Sequence, residues 1–373
     1  MKILMILSNP FMVDPRVHKE AKALIEAGHE VSVIVWDRKK TYKEEEIVDN
    51  IKLYRVHNKG LMKIFKKDLY KNPLWWRQAY KKAINIYKKG YKFDVVHCHD
   101  LDTLNTGVKL KKKLDIKLVY DAHELWGYLI EGSVPKIVTK ISFYMEKKLV
   151  KKVDQIITVS QPFYKYFKSI AKCPVTLVMN CKDLKYKNYE PTKNKKFTLI
   201  YIGGMKKKRF FPDIIDLCTK LKNVNLILAG KTEDMFNKIK KYSKKFKNVE
   251  FLGTIPTKDI LPLTRKADAT FITVDPTSKH YQKTLFNKQF EAMVCARPII
   301  VTKNTYAAEM TEELNCGITV NYNKESIRNA IIKLRDNPKL SEQLGKNALK
   351  AAKDKYNWEK EKQKLLKIYE EKK

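Results

Sequence analysis

Lys288 and Glu291 are three residues apart in the stretch Lys283–Thr302, KTLFNKQFEAMVCARPIIVT. Its apolar spacing predicts a loop, a helix that Pro298 ends, and a buried strand, so the two side chains lie one helical turn apart. One interpretation is a surface ion pair of little energetic weight. The other is a binding site at a helix N-terminus, with Lys288 on a phosphate group and Glu291 on ribose hydroxyls.

A second pattern that could bind an anion is the segment Phe197–Arg209, FTLIYIGGMKKKR. It predicts a strand, a turn at Gly203 and Gly204, and a basic run before the next helix. Glycine lets backbone amides approach an anion, and Arg209 and the helix N-terminus add favourable charge. The pattern favours a diphosphate site, although Lys206–Lys208 also fits a solvated run of charge.

Histidine and aspartate residues alternate in Asp94–Asp102, DVVHCHDLD. His97 and His99 flank Cys98, so both imidazole rings lie on one face of a strand. A catalytic metal centre would need a third firmly placed ligand, which the sequence does not identify. We therefore expect the polar rim of a cleft, with direct contact to a substrate as the alternative and a metal centre as the least favoured interpretation.

Another polar cluster ends the predicted strand in Lys117–Glu124, KLVYDAHE. Ligands of open α/β sheets bind at the carboxyl ends of the strands, so His123 and Glu124 are candidate site residues. His123 is suited to hydrogen-bond a sugar hydroxyl or an acceptor. A structural bond from His123 to a loop carbonyl is the alternative.

The first predicted strand is followed by a strong helix start, Asp14-Pro15. Asp14 supplies a capping carboxylate, and proline is favoured at the first helical position. Arg16 or the neighbouring backbone is the candidate for contact with a ligand. The turn Ser8–Val17 lacks the GxGxxG pattern, which argues against a dinucleotide-dependent oxidoreductase.

Short β-rich runs alternate with helical patterns along the chain, which predicts an α/β fold with two doubly wound domains. Most runs are nearly continuous in apolar residues, as parallel strands buried on both faces are. The predicted strands are Lys2–Ser8, Glu30–Trp36, Ile51–His57, Asp94–His99, Lys117–His123, Gln155–Ser160 and Val175–Asn180, then Phe197–Ile202, Asn225–Ala229, Val249–Leu252, Ala269–Val274, Pro298–Thr302 and Ile318–Asn321. We place an N-terminal domain at 1–180, a polar linker at 181–196, a second domain at 197–355 and a C-terminal helix at 356–373. Two such domains suggest a ligand cleft between them.

The bulk composition is that of a globular protein, with 373 residues of which 44% are hydrophobic. The six cysteines show no metal-binding spacing, and several fall in predicted core elements, which suits a reducing compartment. The N-terminus runs directly into a strand without a signal-peptide pattern, and no apolar stretch is long enough to span a bilayer. We therefore expect a cytoplasmic protein.

The formal net charge is +36, which fits a nucleic acid, an anionic membrane surface or small anionic substrates as partners. Residues 59–92 carry eleven basic residues and one acidic residue. The aromatic residues interleaved with them are Phe65, Tyr70, Trp75, Trp76, Tyr80, Tyr87 and Tyr91. This pattern predicts helices on the anionic inner face of the cell membrane. Ordinary solvated helices and, less favoured, nucleic-acid binding are the alternatives.

Taken in order, these segments resemble the GT-B glycosyltransferases, specifically the retaining family-4-like group. The resemblance rests on DPRVHKEAKALIEAGHEV, DVVHCHD and LVYDAHE in the first half, and on YIGGMKKKR, NLILAGK, VEFLGTIP, NKQFEAMVCARPIIV and EMTEELNCG in the second. No segment is specific alone, but their order and spacing across two domains are. The resemblance covers almost the whole chain. It implies two Rossmann-like domains facing a central cleft, with the last helix, around Trp358, crossing back to the N-terminal domain.

The resemblance also implies a nucleotide-sugar donor held mostly by the second domain, an acceptor approaching from the first, and transfer with retention. It implies no cofactor and no obligatory metal. The residues that would bind the donor are Gly203, Gly204, Arg209, Lys283, Lys288 and Glu291. The catalytic candidates are Arg209 and Lys288, facing the diphosphate, and His123, near the transferring sugar. The acceptor-side candidates are Arg16, His99, Asp100 and Glu124.

Lys283 departs from the pattern that the resemblance implies. Family members often have a glutamate eight positions before the one at Glu291, and this chain has lysine there. The usual contact to the hydroxyls of the donor sugar is therefore missing or remodelled, and we expect Lys283 to influence which sugar is used. A glycine common near Ala296 is also absent, but alanine is small enough to replace it.

We predict a metal-independent, retaining glycosyltransferase that is peripheral on the inner face of the cell membrane. It would move a hexose-type sugar from a UDP- or GDP-sugar to a lipid-linked or glycan acceptor. One alternative is a GT-B nucleotide-sugar epimerase, which would need acid/base carboxylates around the sugar ring. The other is a non-catalytic basic protein that binds membranes or nucleic acid on the same scaffold.

Overall fold

The computed structural model of the protein describes residues 1–12, 14–58, 60–64, 68–230 and 235–370. Residues discussed above that lie outside the described part are Val13, Lys59, Phe65, Lys66, Lys67, Lys231 and the last three of the chain. The chain divides into two compact units. The first comprises Met1–Met179 and the residues from Lys362 onward, and the second comprises Asn180–Glu361.

The first unit is built on an eight-stranded sheet. Its strands are β1 (Lys2–Leu7), β2 (Glu30–Asp37), β3 (Glu45–Val48), β4 (Ile51–His57), β5 (Val95–His99), β6 (Lys117–Ala122), β7 (Gln155–Thr158) and β8 (Val175–Leu177). They are arranged in the order β3-β4-β2-β1-β5-β6-β7-β8, and all neighbours are parallel except β3 and β4. Strand β3 is an edge strand that the sequence did not predict.

In its described residues, the first unit contains six complete α-helices. They are α1 (Pro15–Glu26), α2 (Asp68–Lys88), α3 (Leu101–Leu114), α4 (Trp126–Ile130), α5 (Lys136–Leu149) and α6 (Gln161–Ile170). Helix α1 begins as predicted, because the Asp14 carboxylate accepts a hydrogen bond from the backbone nitrogen of Val17 at 3.3 Å. In the core, Trp36 of β2 stacks on Trp75 of α2 with ring centroids 5.2 Å apart, which stabilises the contact by about 1 kcal/mol beyond burial.

The second unit is built on a six-stranded, all-parallel sheet. Its strands are β9 (Phe197–Ile202), β10 (Val224–Ala229), β11 (Val249–Gly253), β12 (Ala269–Ile272), β13 (Ile299–Thr302) and β14 (Gly317–Val320), in the order β11-β10-β9-β12-β13-β14. Its helices are α7 (Asp213–Thr219), α8 (Phe236–Ser243), α9 (Thr257–Lys266), α10 (Lys279–Lys283), α11 (Asn287–Val294), α12 (Tyr306–Glu313), α13 (Lys324–Asp336), α14 (Pro338–Asp354) and α15 (Trp358–Leu366).

Two boundaries differ from those expected from the sequence. The expected linker, residues 181–196, belongs to the second unit and contains no helix or strand. The unit boundary falls inside α15, so its first turn stays with the second unit, where the Trp358 nitrogen donates to the carbonyl of Lys182 at 3.0 Å. The residues from Lys362 onward join the first unit, in which Lys362 pairs with Glu26 at 2.7 Å.

Each sheet has one point where the chain order reverses. In the first unit it lies between β1 and β5, and in the second it lies between β9 and β12. Loops leaving two such strands diverge to opposite faces and open a crevice at the carboxyl ends of the strands, where α/β sheets bind ligands. The turn at Gly203 follows β9, and the segment Asp100–Asp102 follows β5, so these two segments lie at the reversal points. None of the helices in the described ranges is both long and apolar enough to cross a membrane.

Candidate functional site

Gly203 and Gly204 form a narrow turn directly after β9. A Cβ atom on Gly203 would lie 2.4 Å from Nζ of Lys288, and one on Gly230 would lie 2.0 Å from the carbonyl oxygen of Gly203. Neither approach is possible for a residue with a side chain. Gly203 and Gly230 therefore let the Lys288 amine and a neighbouring loop come close to the backbone at this turn.

Lys288 lies one residue inside α11 and points back to β9. Its Nζ donates to the carbonyl of Ile202 at 3.1 Å and lies 4.4 Å from the ring centroid of Tyr201. The surface ion pair with Glu291 is therefore not the arrangement that forms. Helix α11 begins only at Asn287, so Leu285 and Phe286 precede it. Because the amine is fixed at the first turn of α11, its charge adds to the positive end of the helix dipole.

Arg209 contacts the same turn. Its guanidinium donates to the carbonyl of Gly204 at 3.1 Å and to the Tyr201 hydroxyl at 3.4 Å, and it lies 5.8 Å from the Tyr281 ring. Burial alone would lower the pKa of Arg209, but the Tyr201 and Tyr281 side chains raise it above its ordinary value. Arg209 is a permanent cation. Lys207 and Lys208 are exposed, as the solvated-charge interpretation expects.

Glu291 is buried on α11 and faces the segment that follows β8. Its carboxylate lies 3.6 Å from Nζ of Lys182, and Asn180 donates to the Asn287 side chain at 2.6 Å one turn earlier. The Lys182 contact holds the Glu291 carboxylate at a defined position. A buried carboxylate so placed is suited to accept hydrogen bonds from vicinal hydroxyl groups.

His280 on α10 was not identified from the sequence. Burial, together with the smaller effect of the Arg209 and Lys206 charges, lowers its pKa to about 4, so the imidazole is neutral at physiological pH. It is a neutral hydrogen-bonding group close to Arg209 and Lys206. Lys283 ends the same helix and is half-buried.

The second unit thus gathers Lys206, Arg209 and Lys288 around a glycine turn at the reversal point of its sheet. Fixed cations and helix N-termini stabilise negative charge without proton transfer. The arrangement suits a group that gains negative charge during a reaction, such as a departing diphosphate.

In the first unit, the fully buried Asp121 at the end of β6 is the centre of a network of polar groups. Its carboxylate accepts hydrogen bonds from Arg16 at 3.1 Å and from Nε2 of His123 at 2.9 Å. Nδ1 of His99 lies 3.3 Å from the same carboxylate. Burial would raise the pKa of Asp121, but the charges of Arg16 and His123 hold it well below its ordinary value.

His123 is the member of this network that solvent reaches, with 16% of its side chain exposed. Burial lowers its pKa, but Asp121 and Asp100 outweigh that effect and raise the pKa to about 10. The backbone nitrogen of His123 donates to the Asp100 carboxylate at 3.0 Å. Burial would raise the pKa of Asp14, but the charge of His123 helps to lower it below its ordinary value. His123 is therefore an imidazolium at neutral pH, oriented by a carboxylate behind it.

Two acceptor-side candidates lie deeper than expected. Arg16 is buried, and its guanidinium also contacts Glu20 at 2.9 Å. His99 is fully buried, stacks on His97 with centroids 4.4 Å apart, and has its pKa lowered to about 3, mainly by burial. Arg16 and His99 thus act on the polar network rather than facing solvent. Asp100 and Glu124 are half-buried.

The network also contains side chains of the kinds that bind metal ions, and the sequence alone could not show that they lie close together. Ligand atoms of Glu20, His99, Asp121 and His123 lie within 4.8 Å of one another. The guanidinium of Arg16 lies among them, 2.9 Å from Glu20 and 3.1 Å from Asp121. Because a permanent cation already contacts both carboxylates, this set of residues is balanced by Arg16 and does not fit a metal ion well.

The aromatic residues of the basic stretch 59–92 do not form an exposed face. Trp75 is fully buried, and Trp76, Tyr80, Tyr87 and Tyr91 pack against the core. The Trp76 indole donates to the carbonyl of Asp102 at 2.6 Å. Tyr70 is the exception, with 53% exposed, while Phe65, Lys59 and the two lysines at 66–67 lie outside the described residues. The described aromatics of α2 are mainly core residues, which a count of aromatic and basic residues could not show.

Several partners in both networks had no usable signal in the sequence. Tyr201 reads as an ordinary core residue of an apolar run, and Lys182 as one of many lysines in a polar segment. Tyr369, whose hydroxyl lies 2.6 Å from Nδ1 of His97, is 272 residues from it in sequence. The polar DAHE ending was the one available signal for Asp121.

Comparisons with known proteins agree with this architecture. Residues 15–186 match the model of Glycosyltransferase Family 4, and residues 183–351 match that of Glycosyl transferases group 1. An uncharacterized glycosyltransferase of Methanocaldococcus jannaschii is 26% identical over 365 residues, covering 88% of this chain and 87% of that protein.

Solved structures show the same fold over the whole chain. Sucrose-phosphate synthase from Thermosynechococcus elongatus has a TM-score of 0.80 at 16% identity and covers 99% of this chain and 98% of its own. HepE of Anabaena, solved in complex with UDP-glucose, has a TM-score of 0.73 at 15% identity and covers 99% of each chain. The fold is therefore GT-B, with two Rossmann-like units.

Proposed function

We propose that this chain, which belongs to the family 4 and group 1 glycosyltransferases, transfers a hexose-type sugar from a UDP- or GDP-sugar to a lipid-linked or glycan acceptor. The observation that carries the proposal is the glycine turn after β9, whose backbone carbonyls hold both Lys288 and Arg209. The neighbours crystallised with UDP and UDP-glucose support the choice of donor class.

Lys288 and Arg209 would bind the diphosphate of the donor. The bond between the anomeric carbon and the phosphate oxygen breaks, and the diphosphate gains negative charge as it leaves. Preorganised cations and dipoles at that position lower the barrier, and loss of one such group typically costs about 100-fold or more in rate. The pair thus carries most of the chemistry that the second unit supplies.

We further propose transfer with retention of anomeric configuration. The acceptor oxygen would attack the face from which the diphosphate departs, and its proton would pass to the departing phosphate oxygen. Bonds and charges then balance without a protein base. This fits a site whose charged side chains around the turn are cations.

Glu291 would accept hydrogen bonds from the ribose hydroxyls, with Lys182 holding its carboxylate in place. His123 would donate from its charged imidazole to a hydroxyl of the transferring sugar or the acceptor. Asp121 and Asp100 keep it protonated for that role. Lys283, which stands where the family often has glutamate, would influence the choice of sugar.

We propose that the reaction needs no metal, because Lys288 and Arg209 supply positive charge at the turn and Arg16 balances the carboxylates of the first unit. Extensive dialysis against EDTA should leave the rate unchanged. A loss of activity that Mg²⁺ or Mn²⁺ restores would contradict this part of the proposal.

The decisive experiment is a thermal-shift panel of nucleoside diphosphates and their sugars with the full chain. A ligand that binds only the folded protein raises the unfolding temperature with its concentration. We expect at least one UDP- or GDP-compound to do so, and the shift to disappear in Arg209→Ala and Lys288→Ala. The matched control is Lys208→Ala, which removes an exposed lysine from the same turn.

The responding donor is then incubated with candidate acceptors and the products are examined by NMR. An α-linked product from an α-linked donor is the expected result. Full activity in both Arg209→Ala and Lys288→Ala would overturn the site assignment. An isomeric nucleotide sugar formed without acceptor would identify an epimerase instead. Absence of any response to nucleotides, with salt-sensitive binding of RNA or DNA, would favour the non-catalytic alternative.

The lipid-linked acceptor and the position at the inner face of the membrane are parts of the same proposal. They require a surface that meets anionic lipid. The residues at 59–92 supply exposed lysines, but their described aromatics lie mainly in the core.

A further inference from the structure

Helix α5 of the first unit exposes three large apolar side chains along one stripe. Ile137 is 61% exposed, Ile141 49% and Tyr144 65%. Spacings of four and three residues place them on the same face of the helix. Contiguous apolar surface of this kind is uncommon on a protein that meets only water.

The preceding helix packs on α5 and also exposes an apolar side chain. Helix α4 packs on α5 through Tyr128 and Phe143, whose rings meet edge to face with centroids 4.9 Å apart. A Cβ on Gly127 would lie 2.4 Å from the Phe143 ring, so the contact is close. Leu129 of α4 is itself 43% exposed. The two helices form one packed element with apolar residues facing outward.

The charges on the outer face of α5 are all positive. Lys136, Lys140, Lys147 and Lys148 are exposed, and Lys151 and Lys152 follow directly. Nζ of Lys148 lies 6.0 Å from the ring of Tyr144, so cation and apolar stripe are adjacent.

The acidic residue of α5 is turned inward. Glu146 is buried and accepts hydrogen bonds from the hydroxyls of Tyr120 and Tyr166, both at 3.1 Å. This fixes which face of the helix packs on the sheet, together with the buried Ser142 and Leu149. The outward face has no carboxylate of its own to neutralise its lysines.

We propose that α5 docks the protein on an anionic lipid surface, with Ile137, Ile141 and Tyr144 entering the interface and the lysines contacting the headgroups. Apolar and aromatic side chains on one stripe with lysines beside them are what an interfacial helix needs. The proposal rests on the proposed function only in that a lipid-linked acceptor would be met at such a surface.

Charge decides among the possible occupants of this face. A second copy of the chain would place the same six lysines against one another, which is unfavourable. A nucleic acid would contact the lysines but gains little from two isoleucines, which cannot stack on bases as aromatic rings do. An anionic bilayer satisfies both the positive charge and the aliphatic side chains.

The place of α5 in the chain connects the surface to the polar network. His123 and Glu124 end the β6 loop, and α4 begins at Trp126, two residues later. If the protein is held on lipid through α4 and α5, the charged His123 therefore lies only three residues before the membrane-bound element.

The test is co-sedimentation of the full chain with vesicles of phosphatidylcholine alone or with 30% phosphatidylglycerol. Wild type should partition at least about tenfold better to the anionic vesicles. The variant Ile137→Ser/Ile141→Ser/Tyr144→Ser should lose at least about tenfold of that binding. Lys140→Glu/Lys147→Glu/Lys148→Glu should lose the preference for anionic lipid.

Two control variants address the competing surfaces. Ile47→Ser removes an exposed isoleucine from β3 and should leave binding unchanged, and Lys81→Glu/Lys88→Glu removes exposed charge from α2 and should have the smaller effect. Equal binding of wild type to both vesicle types, or loss of binding in the α2 variant but not in the α5 variants, would overturn the proposal. So would a concentration-dependent dimer that the triple serine variant abolishes without lipid.

Folding and donor binding are followed separately in every variant. The unfolding temperature and its shift with the responding nucleotide should match those of wild type, because α5 belongs to the first unit and contains no donor-site residue. Failure of vesicle binding with an intact nucleotide shift overturns this inference and leaves the transferase proposal standing. Failure of the nucleotide shift with intact vesicle binding would overturn the transferase proposal and leave this inference standing.

Discussion

The phenol oxygen of Tyr369 lies 2.6 Å from Nδ1 of His97, and both side chains are buried. Burial raises the pKa of Tyr369 well above its ordinary value, so the hydroxyl keeps its proton, and because Nε2 of His97 faces the Asp121 carboxylate we assign the hydroxyl as the hydrogen-bond donor to Nδ1. His97, whose pKa burial lowers, then carries its own proton on Nε2, which lies 3.7 Å from Asp121. The residue near the end of the described chain thus fixes the tautomer of a histidine beside the carboxylate that orients His123.

Replacement of Tyr369 by phenylalanine should destabilise the protein by about 1–2 kcal/mol, because Nδ1 of His97 would lose its donor in a buried position. Urea unfolding monitored by tryptophan fluorescence measures this. Tyr144→Phe is the matched control, since Tyr144 is mainly exposed and should change stability little. If Tyr369 also positions the network, the pH profile of the reaction should shift in Tyr369→Phe but not in the control. Equal stability of the two variants would contradict the prediction.

The charge on His123 should make its contribution to stability depend on pH. Its pKa in the folded protein is about 10, raised by Asp121 and Asp100 above the ordinary value of 6.5. The stabilisation is therefore complete below about pH 6.5 and is lost as the pH rises through about 10. The difference in unfolding free energy between wild type and His123→Gln should shrink over this window. A difference that grows with pH between 7 and 10, in urea titrations of both proteins, would refute the assignment of charge.

Much of the fold could be predicted because buried parallel strands are apolar on both faces. The predicted strands Ile51–His57 and Phe197–Ile202 coincide with β4 and β9. Strand β3, Glu45–Val48, could not be predicted, since it begins with two glutamates and is paired on one edge only. Short elements at edges carry little hydrophobic signal.

For the candidate site, too, residues with a local sequence pattern could be predicted, whereas contacts between distant residues could not. Gly203, Arg209 and Lys288 could be singled out because each stands at a strand end or helix start with a recognisable residue pattern. The contacts of Lys182 with Glu291 and of Tyr369 with His97 join residues far apart in sequence, so only the fold brings them together. The burial of Arg16 and His99 could not be predicted either, and the sequence analysis had placed both residues on the acceptor side.

Gly203→Ala should abolish donor binding without unfolding the protein. The added Cβ would lie 2.4 Å from Nζ of Lys288, at the end of a flexible side chain, so the amine should be displaced while the backbone keeps its path. We expect loss of the nucleotide-induced rise in unfolding temperature, or at least a tenfold weaker apparent affinity. Gly253→Ala, also at positive φ but with no atom closer than 4.0 Å, controls for backbone strain. An unchanged nucleotide shift in Gly203→Ala would mean that the position of Lys288 is not critical.

Glu291→Gln should raise the KM for the donor by about tenfold with a smaller effect on kcat, because a contact to ribose hydroxyls is present in both the ground and the transition state. Lys182→Ala should raise KM in the same direction but less, since the carboxylate would keep its hydroxyl partners and lose only the amine 3.6 Å away. Lys185→Ala, an exposed lysine of the same segment, should change neither constant. Steady-state kinetics over a range of donor concentrations separate the three variants. A fall in kcat of Glu291→Gln with KM unchanged would instead assign this carboxylate to the reacting sugar rather than to the ribose.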